Sequence, residues 1–84
     1  MQIKTIATAG VAVEMSNSDS FNQFVLDSIH RHLSSDWGEV SEEDKQANND
    51  APLYALSAYA AWDGRKIWIN QDCNVLTVLF PDEY

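Results

Sequence analysis

An α+β fold follows from three observations on the sequence. An apolar stripe at helical spacing runs through residues 21–33, and a serine followed by three acids stands at Ser41-Glu42-Glu43-Asp44. Three apolar segments fill the last third, parted by Asp63-Gly64 and by Gln71-Asp72-Cys73-Asn74. Helical signals precede most strand signals instead of alternating with them, so helices and sheet should segregate.

Ile3 to Met15 is rich in small and β-branched residues, with Ile6, Val11 and Val13 as the larger apolar members. It reads as a strand, bulged or broken near Gly10. Ser16-Asn17-Ser18-Asp19 is a loop, and Ser20-Phe21-Asn22-Gln23 matches a capping box that opens a helix. Phe21, Phe24, Val25, Ile29 and Leu33 make the buried stripe of that helix, which ends near Ser34 or Ser35. Ser41 caps a second helix whose first three acids face the helix dipole, and Asn48-Asn49-Asp50-Ala51-Pro52 keeps it short. Leu53 to Ala61 is a strand leading into Trp62-Asp63-Gly64-Arg65, where Asp-Gly predicts a hairpin. Lys66 to Asn70 and Val75 to Phe80 are the last strands, and Pro81 ends the second of them. The expected order is β-α-α-β-β-β, one domain over residues 1–84, with an antiparallel meander sheet and helices on one face.

Size and composition bound the function. Eighty-four residues suit one domain, and the 45% hydrophobic fraction argues for a packed core. A lone cysteine, Cys73, excludes an intrachain disulfide and fits a reducing cytoplasm. No run approaches the ~18 apolar residues of a membrane span, and the N-terminus at Met1-Gln2-Ile3-Lys4 lacks the long apolar run of a signal peptide. The net charge of −8 repels nucleic-acid phosphates and anionic lipid heads, and Lys4, Arg31, Lys45, Arg65 and Lys66 are too scattered to offset it. Direct nucleic-acid or membrane binding is therefore not expected; a basic protein surface is the natural complement.

No constellation for chemistry stands out. His30 and His32, two apart on a helix, point roughly 200° from each other and cannot share a metal ion. They read as ordinary surface or flank histidines. Asp27 and Arg31 have the spacing of a helix ion pair, as do His32 and Asp36 if the helix reaches that far. Cys73 lies between Asp72 and Asn74, with no cation in sequence to activate it. Gly10, Gly38 and Gly64 are too far apart to cradle a phosphate. Catalytic residues, cofactor and metal are all expected to be none.

The segment from Asp36 to Asp50 holds six acids and one lysine, five of the eight net negative charges. Two readings stand side by side. In one, Glu42, Glu43 and Asp44 complement the helix dipole while Asp36 and Glu39 are solvated turn residues. In the other, Asp36, Glu39, Glu42, Glu43 and Asp44, with Trp37 as apolar anchor, offer a face to a basic partner in the manner of a phosphate backbone. Trp62 and Trp68 flank the hairpin, with Tyr54 and Tyr59 before it; cross-strand aromatic packing is expected of them, with one ring left exposed as an interface anchor as the alternative.

Asp36-Trp37-Gly38, Glu43-Asp44, Asn49-Asp50, Leu56-Ser57-Ala58-Tyr59, Gly64-Arg65-Lys66-Ile67-Trp68-Ile69 and Thr77-Val78-Leu79-Phe80-Pro81-Asp82-Glu83-Tyr84 together resemble a family of small acidic proteins of bacterial plasmids, phages and integrative elements. The resemblance spans about residues 33 to 84, and Pro52 sets the connection before Leu53 apart from the family pattern. The family brings no assigned catalytic residues. It implies the setting of a mobile element, whose accessory proteins include anti-restriction and anti-CRISPR inhibitors, some of them nucleic-acid mimics. The expectation is a non-enzymatic acidic inhibitor of a host nucleic-acid-handling complex. The alternative is a homo-oligomeric structural or regulatory module that pairs through an edge strand or the aromatic hairpin.

Overall fold

The computed structural model describes residues 2–84. In chain order the elements are β1 (Lys4–Ala7), α1 (Ala9–Asn17), α2 (Asp19–Leu33), α3 (Glu42–Asp50), a 3₁₀ turn at Pro52–Tyr54, β2 (Leu56–Ala60), β3 (Lys66–Asp72), β4 (Val75–Leu79) and a second 3₁₀ turn at Pro81–Glu83. The α+β class stands, with the order β-α-α-α-β-β-β.

The sheet order is β1-β4-β3-β2. β2, β3 and β4 form the expected meander, paired Ser57↔Ile69 and Ile69↔Val78. β1 lies parallel to β4, with Thr5 opposite Leu76, so the sheet is mixed and not purely antiparallel. Parallel neighbours cannot be joined by a tight hairpin. Here the three helices and the first two strands of the meander form the long connection.

The strand expected over Ile3 to Met15 is a second correction: it stops at Ala7, and α1 takes the rest. Locally α1 shows little amphipathicity, with Val11 its one fully buried residue and Val13 more than half exposed. Its first turn is held from far away. The Glu83 carboxylate accepts from Thr8 Oγ1 at 2.6 Å and from the Gly10 N–H at 3.2 Å, an anion seated on orphan donors at a positive helix end. Thr8, Gly10 and the Phe80 N–H all donate to this carboxylate and hold Glu83 below its ordinary pKa.

Ser18 separates the two helices. Its N–H bonds to the Glu14 carbonyl at the end of α1, and its Oγ accepts the Phe21 N–H at 3.1 Å to cap α2. The cap is therefore Ser18 and not Ser20. α2 buries Phe21, Val25, Ser28 and His32 along one stripe, with Phe24 and Ile29 half-buried beside it, while Leu33 is exposed. Val11, Phe21 and Val25 pack with Tyr59, Ile67, Ile69, Leu76 and Val78, so the helices cover one sheet face. On the other face Trp68 meets Tyr84 edge-on, ring centres 5.5 Å apart. Trp62 instead leans edge-on against Phe24 of α2, so the two tryptophans do not pair across the hairpin.

The outer edge of β2 is closed by residues that precede it. Trp37 O accepts the Ala58 N–H, and the Glu39 N–H donates to Ala58 O at 2.8 Å. One register step along, the Asn48 amide donates to Leu56 O at 2.8 Å and accepts its N–H at 3.2 Å, as a neighbouring strand residue would. Asn48→Ala should strand both groups and cost about 1–3 kcal/mol. Urea denaturation measures that loss, and faster hydrogen exchange at Leu56 locates it.

Candidate functional site: the acidic loop and helix α3

The segment from Ser34 to Ser41 joins α2 to α3 and doubles back along β2. Ser35 takes φ 63°, and the Asp36 N–H returns to the Arg31 carbonyl at 2.9 Å. The Asp36 carboxylate is then gripped by Arg31, Nε at 2.7 Å and Nη2 at 3.2 Å, and accepts the Gly38 N–H at 3.3 Å. The guanidinium holds Asp36 below the usual carboxylate range. Arg31 lies over the Tyr59 ring, 4.8 Å from its centre, and Tyr59 OH donates to the Asp36 carbonyl at 2.7 Å. Burial pushes the Tyr59 hydroxyl up to about 12, so it remains a donor at any ordinary pH. Arg31 thus serves Asp36 and not Asp27, which accepts instead from Gln23.

Beneath the loop is a polar network that joins three elements. His32 Nδ1 meets Ser57 Oγ at 2.6 Å and Nε2 meets Gln71 Oε1 at 2.8 Å. Gln71 Nε2 donates to the Cys73 carbonyl, which turns its oxygen toward His32. The histidine therefore carries its proton on Nε2, and the Ser57 hydroxyl donates to Nδ1. Burial lowers the His32 pKa. His32 is buried at 2% exposure, a correction to its expected place at the surface; His30 is exposed.

Trp37 seats on this network. Its ring meets His32 edge-on at 5.2 Å, and its indole N–H donates to Asn49 Oδ1 at 2.8 Å. At 5% exposure it braces the loop from inside, with no open ring to offer a partner. The carboxylates lie outside. Asp36, Glu39, Glu42, Glu43 and Asp44 are all exposed. Glu39 reaches Lys66 at 3.8 Å and Glu42 reaches Lys45 at 3.3 Å. Among the described residues no ion pair forms to Glu43, Asp44 or Asp50. Ser41 Oγ caps α3 by accepting the Asp44 N–H, as expected. At 100° per residue, Glu43 and Asp50 fall two turns apart on the side of α3 opposite buried Asn48. A polar recess of about 300 Å³ lies between loop and helix, lined by Asp36, Glu42, Lys45, Gln46 and Asn49 among others.

Large apolar side chains come to this end of the molecule from a different element. The 3₁₀ turn packs against α3 and β3 and leaves Leu53 at 39% and Tyr54 at 65% exposure. The Cys73 N–H holds it by donating to the Leu53 carbonyl at 2.7 Å.

Ser57, His32 and Gln71 have the order of a nucleophile, a base and its orienting group. All three are buried, and they line neither the polar recess nor the groove of about 610 Å³ between α1 and the C-terminal turn. What the network does in the fold is tie α2 to β2 and to the end of β3. That groove is walled by Val13, Phe80 and Pro81, and its one guanidinium, Arg65, is already held by Glu14 and Asp63 at 2.8 Å each. No cluster of three or more metal-ligating side chains occurs among the described residues. Comparison with protein-family models, curated proteins and solved structures found no match to this chain.

Proposed function

We propose that the protein is a non-enzymatic acidic binding module of a mobile genetic element. It engages a basic surface on a host nucleic-acid-handling defence complex, in the manner of an anti-restriction or anti-CRISPR inhibitor that imitates nucleic acid. The carrying observation is how its charge is disposed. Four of the five cations, Arg31, Lys45, Arg65 and Lys66, are each held by a carboxylate of the same chain, so what faces solvent is overwhelmingly anionic. Glu43, Asp44 and Asp50 stand on a capped helix whose loop is pinned to β2, which fixes their spacing before any partner arrives. Fixed charge of one sign speeds encounter with a basic surface and avoids the entropy of ordering a floppy tail. In this reading Leu53 and Tyr54 supply the apolar contact expected of Trp37, since Tyr is favoured at binding hot spots.

The test is protection of incoming DNA. Cells carrying a restriction or a CRISPR system are transformed with a targeted plasmid, with and without the protein. The wild type should raise transformation by at least roughly tenfold, equivalent to about 1.4 kcal/mol of lost target binding by the defence complex. Glu43→Lys with Asp44→Lys and Asp50→Lys should abolish protection while the thermal midpoint moves by only a few degrees. Protection that survives the triple reversal sinks the charge-based reading.

A further inference from the structure

The sheet has one closed edge and one open one. On β2 the backbone is capped by Trp37, Glu39 and Asn48. On β1 the Lys4 N–H donates to the Asn74 carbonyl at 2.8 Å and the Thr8 N–H to the Val78 carbonyl at 3.0 Å, so these residues face β4. Strand alternation then turns the N–H and C=O of Thr5 and Ala7 away from the sheet. β1 ends the sheet on that side, and neither residue bonds elsewhere among the described residues. Ile3 and Ile6 are 39% and 42% exposed beside this edge.

Charge selects what can pair there. Residues 2 to 13 hold Lys4 and no carboxylate, in a chain with thirteen acids. Any approach of two copies through α3, the hairpin or the C-terminal turn brings carboxylates together; β1 itself carries none, and Glu83, seated at its end, is already bonded to Thr8, Gly10 and Phe80.

We propose that β1 is a self-association edge. Two copies pair β1 against β1 in antiparallel fashion about a two-fold axis, making one continuous sheet across both. The outward groups fix the register: Thr5 of each copy lies opposite Ala7 of the other, exchanging about four backbone hydrogen bonds in all. Ile6 then meets Ile6 of the second copy across the axis as a close, non-hydrogen-bonded pair. Lys4 falls opposite Thr8, so the register sets no like charges face to face.

Sedimentation equilibrium from roughly 1 μM to 1 mM reads the association. The wild type should move from the mass of the 9.5 kDa chain toward twice that value. Thr5→Pro removes an outward N–H and none that faces β4, so it should stay at monomer mass with an unchanged circular dichroism spectrum. A second readout does not depend on that variant folding. In a Cys73→Ser background, Ile6→Cys should form a covalent dimer on mild oxidation, whereas Thr5→Cys should not. A wild type monomeric throughout, a Thr5→Pro protein that dimerises equally well, or crosslinking through Thr5→Cys in place of Ile6→Cys would each overturn the proposal.

Discussion

Gly38→Ala should destabilise the protein by about 3–4 kcal/mol and release the acidic loop from β2. Two causes combine. Gly38 has φ +71°, where a side chain costs about 1–2 kcal/mol. A Cβ there would also stand 2.0 Å from the Ala58 carbonyl oxygen and 2.8 Å from the Tyr59 ring, both fixed parts of the sheet. The loop must therefore lift. That surrenders the bonds from Ala58 N to Trp37 O and from Glu39 N to Ala58 O, each worth about 1 kcal/mol. In a domain of this size the sum lowers the thermal midpoint by roughly 15–25 °C. Gly64→Ala is the matched control, because Gly64 has φ +90° but nothing lies within 4 Å of its added Cβ. It bears the backbone cost alone and should lose only about 1–2 kcal/mol. Equal losses in the two variants would mean that pressing the loop against β2 stabilises nothing. The comparison also bears on the proposed function: in that reading the Gly38 variant loses affinity for a basic partner even where still folded, since its carboxylates no longer hold a fixed spacing.

The parts of this fold that sequence reveals are those whose causes are local. Ser41 and its three acids cap α3 without help from elsewhere, Asp63-Gly64 turns its own hairpin, and the breakers after Ala47 end α3 at Asp50. The parts it hides depend on residues far along the chain. α1 reads as a strand because Val11 and Val13 are β-branched among small neighbours, whereas the carboxylate on its first turn comes from Glu83, seventy-three positions from Gly10. β1 lies parallel to β4 because of a connection that no window of residues contains. The candidate site divides in the same way. Its exposed acids are visible as a charge run, but the burial of Trp37 follows from Asn49 and His32, and the His32 network joins residues twenty-five and thirty-nine positions apart. A serine, a histidine and a glutamine at such separations carry no signal that would group them. Sequence does not single out Tyr54 as the exposed ring, because inside the expected strand from Leu53 to Ala61 it carries the same signal as buried Tyr59.

Stability should fall on mild acidification through His32, and the sign follows from its burial. The folded protein holds this imidazole neutral, with its pKa below the ordinary 6.5, while the unfolded chain binds a proton near that value. Below pH 6.5 the unfolded state therefore carries more protons, and stability drops by up to about 1.4 kcal/mol per pH unit until the folded pKa is reached. Above pH 6.5 this contribution is complete. Asp36, Asp63 and Glu83 are all held below their ordinary values, so their contributions fade only at more acid pH, near 4 and under. The groups packed on the histidine cannot offset its charge: β2 presents Ser57 and Tyr59 on that face, β3 presents Ile69 and Gln71, and the loop presents Trp37. Arg31 and Asp36, on the adjoining loop, are already paired with each other. His32→Leu separates the packing from the proton. It leaves Ser57 Oγ without its acceptor and Gln71 Oε1 without its donor in a buried site, which costs about 3 kcal/mol at pH 7, and it removes the histidine's share of the slope below pH 6.5. Urea unfolding of wild type and variant at pH 7.5 and 5.5 reads both effects. A wild type equally stable at the two pH values would mean that His32 takes up a proton inside the fold as readily as outside it, and the network would then not require a neutral ring.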